Sequence, residues 1–268
     1  MTSDTLGTAL ITGASTGIGA VYADRLARRG HDLILTARDT ARMTALAARL
    51  REATGQRIDI VRADLTDAAD RAVVETILRD DPTITVLINN AGMSLEGSIL
   101  DNDGDQIARL IALNVTAPSV LAAAAAKAFV ARGKGAIVNM SSVLALAPER
   151  FDGLYSGSKA DLLNLSLAMA SQLADKGVYV QAVLPGVTRT EIWARSGKDV
   201  DAFPAEIVMS VDDLVDAALV GFDRRETVTI PPLQDDRQWA DLMQARLALA
   251  PHLSARDVAP RYRTAQPA

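Results

Sequence analysis

Short aliphatic and β-branched runs alternate with longer stretches of helical spacing along the chain. "TALIT" (8–12), "HDLILTA" (31–37), "RIDIVRA" (57–63), "ITVLIN" (84–89), "GAIVNMS" (135–141), "VYVQAVL" (178–184) and "ETVTI" (226–230) predict strands. The intervening stretches 17–29, 40–53, 67–80, 103–132, 155–175 and 211–222 place apolar residues at helical spacing over helical lengths. Alternation repeated this often predicts right-handed βαβ units. The expected fold class is therefore α/β, a doubly wound three-layer sandwich whose parallel sheet of about seven strands carries helices on both faces. No Pro/Gly/Ser linker and no shift of composition divides the chain, so one domain over 1–268 is expected. Residues 186–210 break the rhythm with a long strandless segment, the mark of a functional loop. The tail from about 250 to 268 is expected to be loosely ordered or to dock on a neighbouring subunit.

Composition narrows the function classes. Apolar residues make up 49% of the 268 and charged ones 23%, ample for a core, and scarce aromatics (4%) suit alanine-rich helices on a buried sheet. The net charge of −5 weighs against nucleic-acid binding, which calls for clustered Lys and Arg. The absence of cysteine removes disulfides, thiol nucleophiles and thiolate metal sites, and no metal centre is expected. "MTSDTLGTALITG" lacks the basic start and long apolar run of a secretory signal. The alanine-rich run "VLAAAAAKAFV" is interrupted by Lys127, well short of the roughly 20 residues of a membrane span. A cytoplasmic protein without a membrane partner is the expectation.

The first predicted strand runs directly into "TGASTGIG", where Gly13, Gly17 and Gly19 precede a helical stretch. Glycine is needed where a backbone turns sharply, where a phosphate approaches it, and where helix packs on strand. The helix start then offers free N–H groups to a pyrophosphate, so Ser15, Thr16 and Ile18 join the glycines as candidate dinucleotide contacts. The second strand ends in "LTARDT". With Ala37 in the place where a carboxylate would bind ribose hydroxyls, Arg38 is set for the 2′-phosphate of NADP(H). If Asp39 binds the ribose instead, the coenzyme is NAD(H).

Seven motifs in order now give the chain a family resemblance: "TGASTGIG" (12–19), "ADL" (63–65), "NNAG" (89–92), "LNV" (113–115), "IVNMSS" (137–142), "YSGSK" (155–159) and "PGVTRT" (185–190). Over residues 7–232 the chain resembles the short-chain dehydrogenase/reductase family, whose fold is Rossmann-like. The resemblance implies that Asp64 accepts from the adenine amino group with Leu65 beside it. Asn89 would touch the ribose or brace its strand, and Asn90, Ala91 and Gly92 would flank the coenzyme. Pro185 and Gly186 would turn under the nicotinamide, with Val187 and Thr190 at its carboxamide. Ser142, thirteen residues before Tyr155, is chosen over Ser141 as the family's serine. Asn114, Ser142, Tyr155 and Lys159 form the implied catalytic set, with Asn114 holding a water that links Lys159 to solvent.

The chemistry fits that set. Lys159 falls one helical turn after Tyr155, on the same helix face. A free phenol keeps its proton to about pH 10, and a nearby positive charge favours its anion. Tyr155 is thus the expected proton donor or acceptor opposite hydride transfer to a ketone or from a secondary alcohol. Ser142 would orient the substrate oxygen, and Lys159 would also hold the nicotinamide ribose. Glu149, Arg150 and Phe151 are candidates to line the pocket or face solvent. Residues 191–210, with Trp193, Phe203, Met209 and a hinge at Gly197, read as an apolar lid over a mid-sized, partly apolar substrate. A non-catalytic NADP-sensing relative would be expected to lose Ser142, Tyr155 or Lys159. A sugar-nucleotide epimerase or dehydratase would carry a longer C-terminal region. His31 and His252 follow no nucleophile elbow, which sets a serine hydrolase aside. Relatives pair through the helices at 103–132 and 155–175, so a homodimer or homotetramer is expected.

Overall fold

A computed structural model describes residues 6–150 and 153–263. Contacts divide the chain into two units, Met1–Pro232 and Leu233–Ala268. The first holds seven parallel strands: β1 (Thr8–Thr12), β2 (Asp32–Ala37), β3 (Ile58–Arg62), β4 (Ile84–Asn89), β5 (Gly135–Met140), β6 (Val178–Val183) and β7 (Val228–Thr229), in the order β3-β2-β1-β4-β5-β6-β7. The order reverses between β1 and β4, which opens a crevice at the carboxyl ends of those strands. The helices are α1 (Gly17–Arg28), α2 (Thr40–Thr54), α3 (Ala68–Asp80), α4 (Gly104–Ile111), α5 (Ala117–Arg132), α6 (Gly153–Leu173), α7 (Ile192–Arg195) and α8 (Val211–Asp223). The architecture is the doubly wound, Rossmann-like sandwich of the sequence reading.

Alternation along β1 separates the two cores. Ala9 and Ile11 join Tyr22, Leu26 and Met43 on one face, and Leu10 joins Leu87, Leu121 and Phe129 on the other. Every residue of β1 is buried, as both faces of a parallel sheet require. Between sheet and helices runs a polar seam. Asn89 Nδ2 donates to Asn139 Oδ1 at 3.0 Å and to the Pro118 carbonyl at 3.1 Å, and Asn139 Nδ2 donates to Ser166 Oγ at 2.9 Å. Asn89 therefore braces β4.

Three elements depart from the expectation. The predicted helix 103–132 is interrupted by a π-helical turn at Ala112–Thr116 that contains Asn114. Gly104–Arg132 is long and apolar enough to cross a membrane by length and composition, and its Leu121, Ala125 and Phe129 are buried in the core. The last strand shrinks to two residues, and just before it the Glu226 carbonyl accepts Tyr179 Oη at 2.7 Å. In the second unit, helix α9 (Arg237–Leu249) has no counterpart in the reading, although Trp239, Leu242, Met243 and Leu247 recur at helical spacing; none of its residues is buried. Phe151 and residues 1–5 and 264–268 lie outside the described residues.

Candidate active site

The crevice opens into a cleft of about 1250 Å³, larger than the roughly 300–1,000 Å³ of an ordinary small-ligand pocket and roomy enough for a dinucleotide and a second molecule. One end is the glycine loop. Thr12 Oγ1 accepts the N–H groups of Asn90 and Ala91, each at 3.0 Å, and Asn90 Nδ2 donates to the carbonyls of Thr12 at 3.0 Å and Gly13 at 3.3 Å. These bonds clamp the ends of β1 and β4 together. Gly13 has a φ of 66°, and a Cβ there would meet Asn90 Nδ2 at 2.8 Å. The loop is thus packed from behind and bare toward the cleft, as a cradle for a pyrophosphate must be.

Gly13, Ser15, Thr16, Gly17, Ile18, Arg38, Asp64, Leu65, Asn90, Ala91 and Gly92 all line the cleft, as do Ser142, Tyr155, Lys159, Pro185, Gly186, Val187 and Thr190. Two predicted site residues do not. Gly19 is buried behind the loop, where a Cβ would run into the Gly13 carbonyl; its role is helix packing. Asn114 is buried with its amide already engaged: Oδ1 accepts Met93 N–H at 2.9 Å, and Nδ2 donates to the Met93 carbonyl at 2.8 Å and to Ser158 Oγ at 3.1 Å. Asn90 likewise reaches the cleft with an amide spent on the loop.

At the adenosine end, Asp39 caps α2 by accepting Arg42 N–H at 3.0 Å. That leaves Arg38, 58% exposed and 3.7 Å from Asp64, as the cation facing the cleft at this end of β2. Asp64 accepts the Thr66 N–H and hydroxyl at 3.0 and 2.7 Å. Burial works against its ionised form, yet the Thr66 bonds and Arg38 hold its carboxyl below the ordinary range. Arg109 of α4 also lines this end, and nothing in its helical spacing distinguishes it.

The far end holds the proton-transfer candidates. Ser141 Oγ donates to the Lys159 carbonyl at 2.7 Å and so ties β5 to α6. Ser142 hydrogen-bonds the Tyr155 side chain, and its Oγ also accepts Leu144 N–H at 3.1 Å. Lys159 is buried, donates to the Met140 carbonyl at 2.8 Å and stands 5.6 Å from the Tyr155 ring centroid. Burial lowers its pKa to about 8. Tyr155 differs from the expectation of a lowered pKa: burial pushes it up to about 12, against a lowering by the Ser142 bond. Gly92 leaves open the space before Lys159, where a Cβ would lie 3.3 Å from Nζ.

The substrate segment supplies the outer wall. Ile192, Trp193, Phe203 and Ile207 line the cleft together with Met93, Leu95 and Leu144, and the Trp193 and Phe203 rings lie 4.9 Å apart. Met209 is not part of this wall: its N–H donates to the Val187 carbonyl, and it bridges Thr188. Gly197 adopts a φ of 65° where a Cβ would meet Glu96 Oε1 at 2.5 Å, so it closes α7 onto the neighbouring loop. Glu149 lies off the cleft lining, and Arg150 is on it.

The family described as short chain dehydrogenase matches residues 7–201. A short-chain dehydrogenase from Sphingobium yanoikuyae, solved with NADPH, is 54% identical with a TM-score of 0.94 over 96% of this chain and 100% of that one. The bulky-bulky ketone specific alcohol dehydrogenase from Comamonas testosteroni is 50% identical with a TM-score of 0.89 over 96% and 98%. The human 17-beta-hydroxysteroid dehydrogenase type 3 is 34% identical over 68% of this chain, and the match spans 59% of that protein's length.

Proposed function

The chain belongs to the short chain dehydrogenase family, and from that premise we propose that it interconverts a bulky ketone and its secondary alcohol with NADP(H). One observation carries the reading: Tyr155, bonded to Ser142, shares a cleft with buried Lys159 and the glycine loop. The two structures at 50% and 54% identity, one described with NADPH and the other as specific for bulky-bulky ketones, support the choice of coenzyme and substrate. When bound, NADP(H) supplies or accepts the hydride. The Gly13–Gly17 loop, Arg38, Asp64, Leu65, Ala91, Gly92 and the Pro185–Thr190 turn would hold it, with Lys159 at the ribose.

The chain's own residues manage the oxygen and one proton. Ser142 orients the carbonyl oxygen and stabilises charge developing there. Tyr155, protonated at neutral pH because burial holds its pKa at about 12, gives its phenolic proton to the new alkoxide. The Lys159 ammonium stabilises the phenolate left behind. Asn114 fixes Met93 at the edge of the substrate space. The Trp193–Phe203 wall accommodates an apolar substituent on the ketone. A cytoplasmic homo-oligomer, paired through α5 and α6, completes the proposal; native mass measurement tests its assembly.

Oxidation of NADPH and NADH across ketones of graded bulk tests the activity. NADPH and the bulkier ketones are expected to react fastest, and Tyr155→Phe is expected to lose about 10²–10⁴ of the rate. Full activity in the Phe variant would remove Tyr155 as proton donor.

A further inference from the structure

The segment after Pro185 lies against the glycine loop, with Thr190 Cγ2 3.5 Å from where a Cβ on Gly17 would stand. On the substrate side Trp193 Nε1 donates to the Thr188 carbonyl at 2.8 Å, and Lys198 Nζ reaches the Leu95 carbonyl of the loop after β4 at 3.2 Å. A different kind of tie reaches the opposite lip. Arg42 Nη1, from the first turn of α2, donates to both carboxylate oxygens of Glu191 at 2.9 Å each. Glu191 also receives Arg195 Nη2 at 2.6 Å, and Arg42 Nε stands 3.4 Å from Asp39. Asp39, Glu191 and Arg195 line the cleft, whereas Arg42 lies outside its lining. The row of charges therefore joins the adenosine lip to the substrate segment. Arg42 and Glu191 are about half exposed, at 49% and 47%, so the row sits at the mouth.

We propose that Arg42 and Glu191 are positioning residues that hold the substrate segment down over the bound dinucleotide, and that their separation permits coenzyme release. The inference rests on the coenzyme reading above. Neither side chain has to touch the coenzyme. An Arg–carboxylate contact is directional and charge-assisted, but at half exposure it is modest and sensitive to salt. It therefore acts as a latch that opens readily.

Stopped-flow fluorescence of NADPH displaced from the protein by excess NADP⁺ measures release. Arg42→Ala and Glu191→Gln are each expected to speed release about threefold, in keeping with an exposed pair. The double variant is expected to be no faster than either single one, because both remove the same contact. NADH release should accelerate by the same factor, and added salt should speed release from the wild type more than from the variants. In the coenzyme-free protein, amide exchange across 187–198 should quicken in both single variants. Unchanged release, additive effects, or unchanged exchange would overturn the latch. Acceleration confined to NADPH in Arg42→Ala would also overturn it, since Arg42 would then be a direct phosphate contact. A wild-type protein that binds neither dinucleotide overturns the coenzyme reading and the latch together, an outcome distinct from tight binding with unaltered release.

Discussion

Ser141 and Ser142 are chemically identical neighbours with hydroxyls committed to different tasks, one to the Lys159 carbonyl and one to Tyr155. Ser142→Ala is expected to lower kcat by about 10²–10³, the effect of losing an oxyanion donor. Ser141→Ala removes a buried bond between β5 and α6 and should appear in a denaturant melt as a loss of about 1 kcal/mol. Lys159 makes stability depend on pH. Its folded pKa of about 8 lies below the ordinary 10.5, so the unfolded chain binds more protons between those values. Stability should therefore rise with pH across that window, by about 3 kcal/mol for this group. Lys159→Met should flatten the rise in denaturant melts taken from pH 7.5 to 10. One helical turn made the relation of Tyr155 to Lys159 legible in the sequence, whereas the choice of Ser142 over Ser141 came from the family resemblance. The raised pKa of Tyr155 was not legible, because burial depends on what the fold stacks around the ring.

The turn from β1 into α1 illustrates what a motif specifies at the level of elements. Its glycines divide the work: Gly13 faces the cleft, and Gly19 packs the helix against the strand end. Gly19→Ala should force the loop off α1 at about 1–3 kcal/mol, a typical overpacking cost, seen as a lower calorimetric Tm. Strand and helix positions were readable because parallel strands and packed helices carry long apolar patterns. The π turn at Ala112–Thr116 was not, since apolar periodicity continues through it; its Asn114 bonds Met93 across the fold. Helix α9 went unread although Trp239, Leu242, Met243 and Leu247 recur at helical spacing, because it follows the last strand of the repeating βα unit.

For the whole molecule, both apolar clusters and every residue lining the cleft belong to the Met1–Pro232 unit. A chain ending at Pro232 is therefore expected to keep a cooperative thermal transition by circular dichroism and to retain NADPH binding by fluorescence titration. A broad, non-cooperative melt would show instead that the C-terminal unit is needed for folding. The doubly wound topology was open to sequence reasoning because it repeats one unit, whereas the relation of Arg42 to Glu191, 149 residues apart, exists only after folding. Lys159 lines the cleft with its ammonium on the Met140 carbonyl, where burial disfavours the charge. A dinucleotide that binds only the folded chain shifts the folding equilibrium by mass action. Where NADP(H) is scarce, the folded population is expected to fall and proteolysis of the unfolded chain to rise with it.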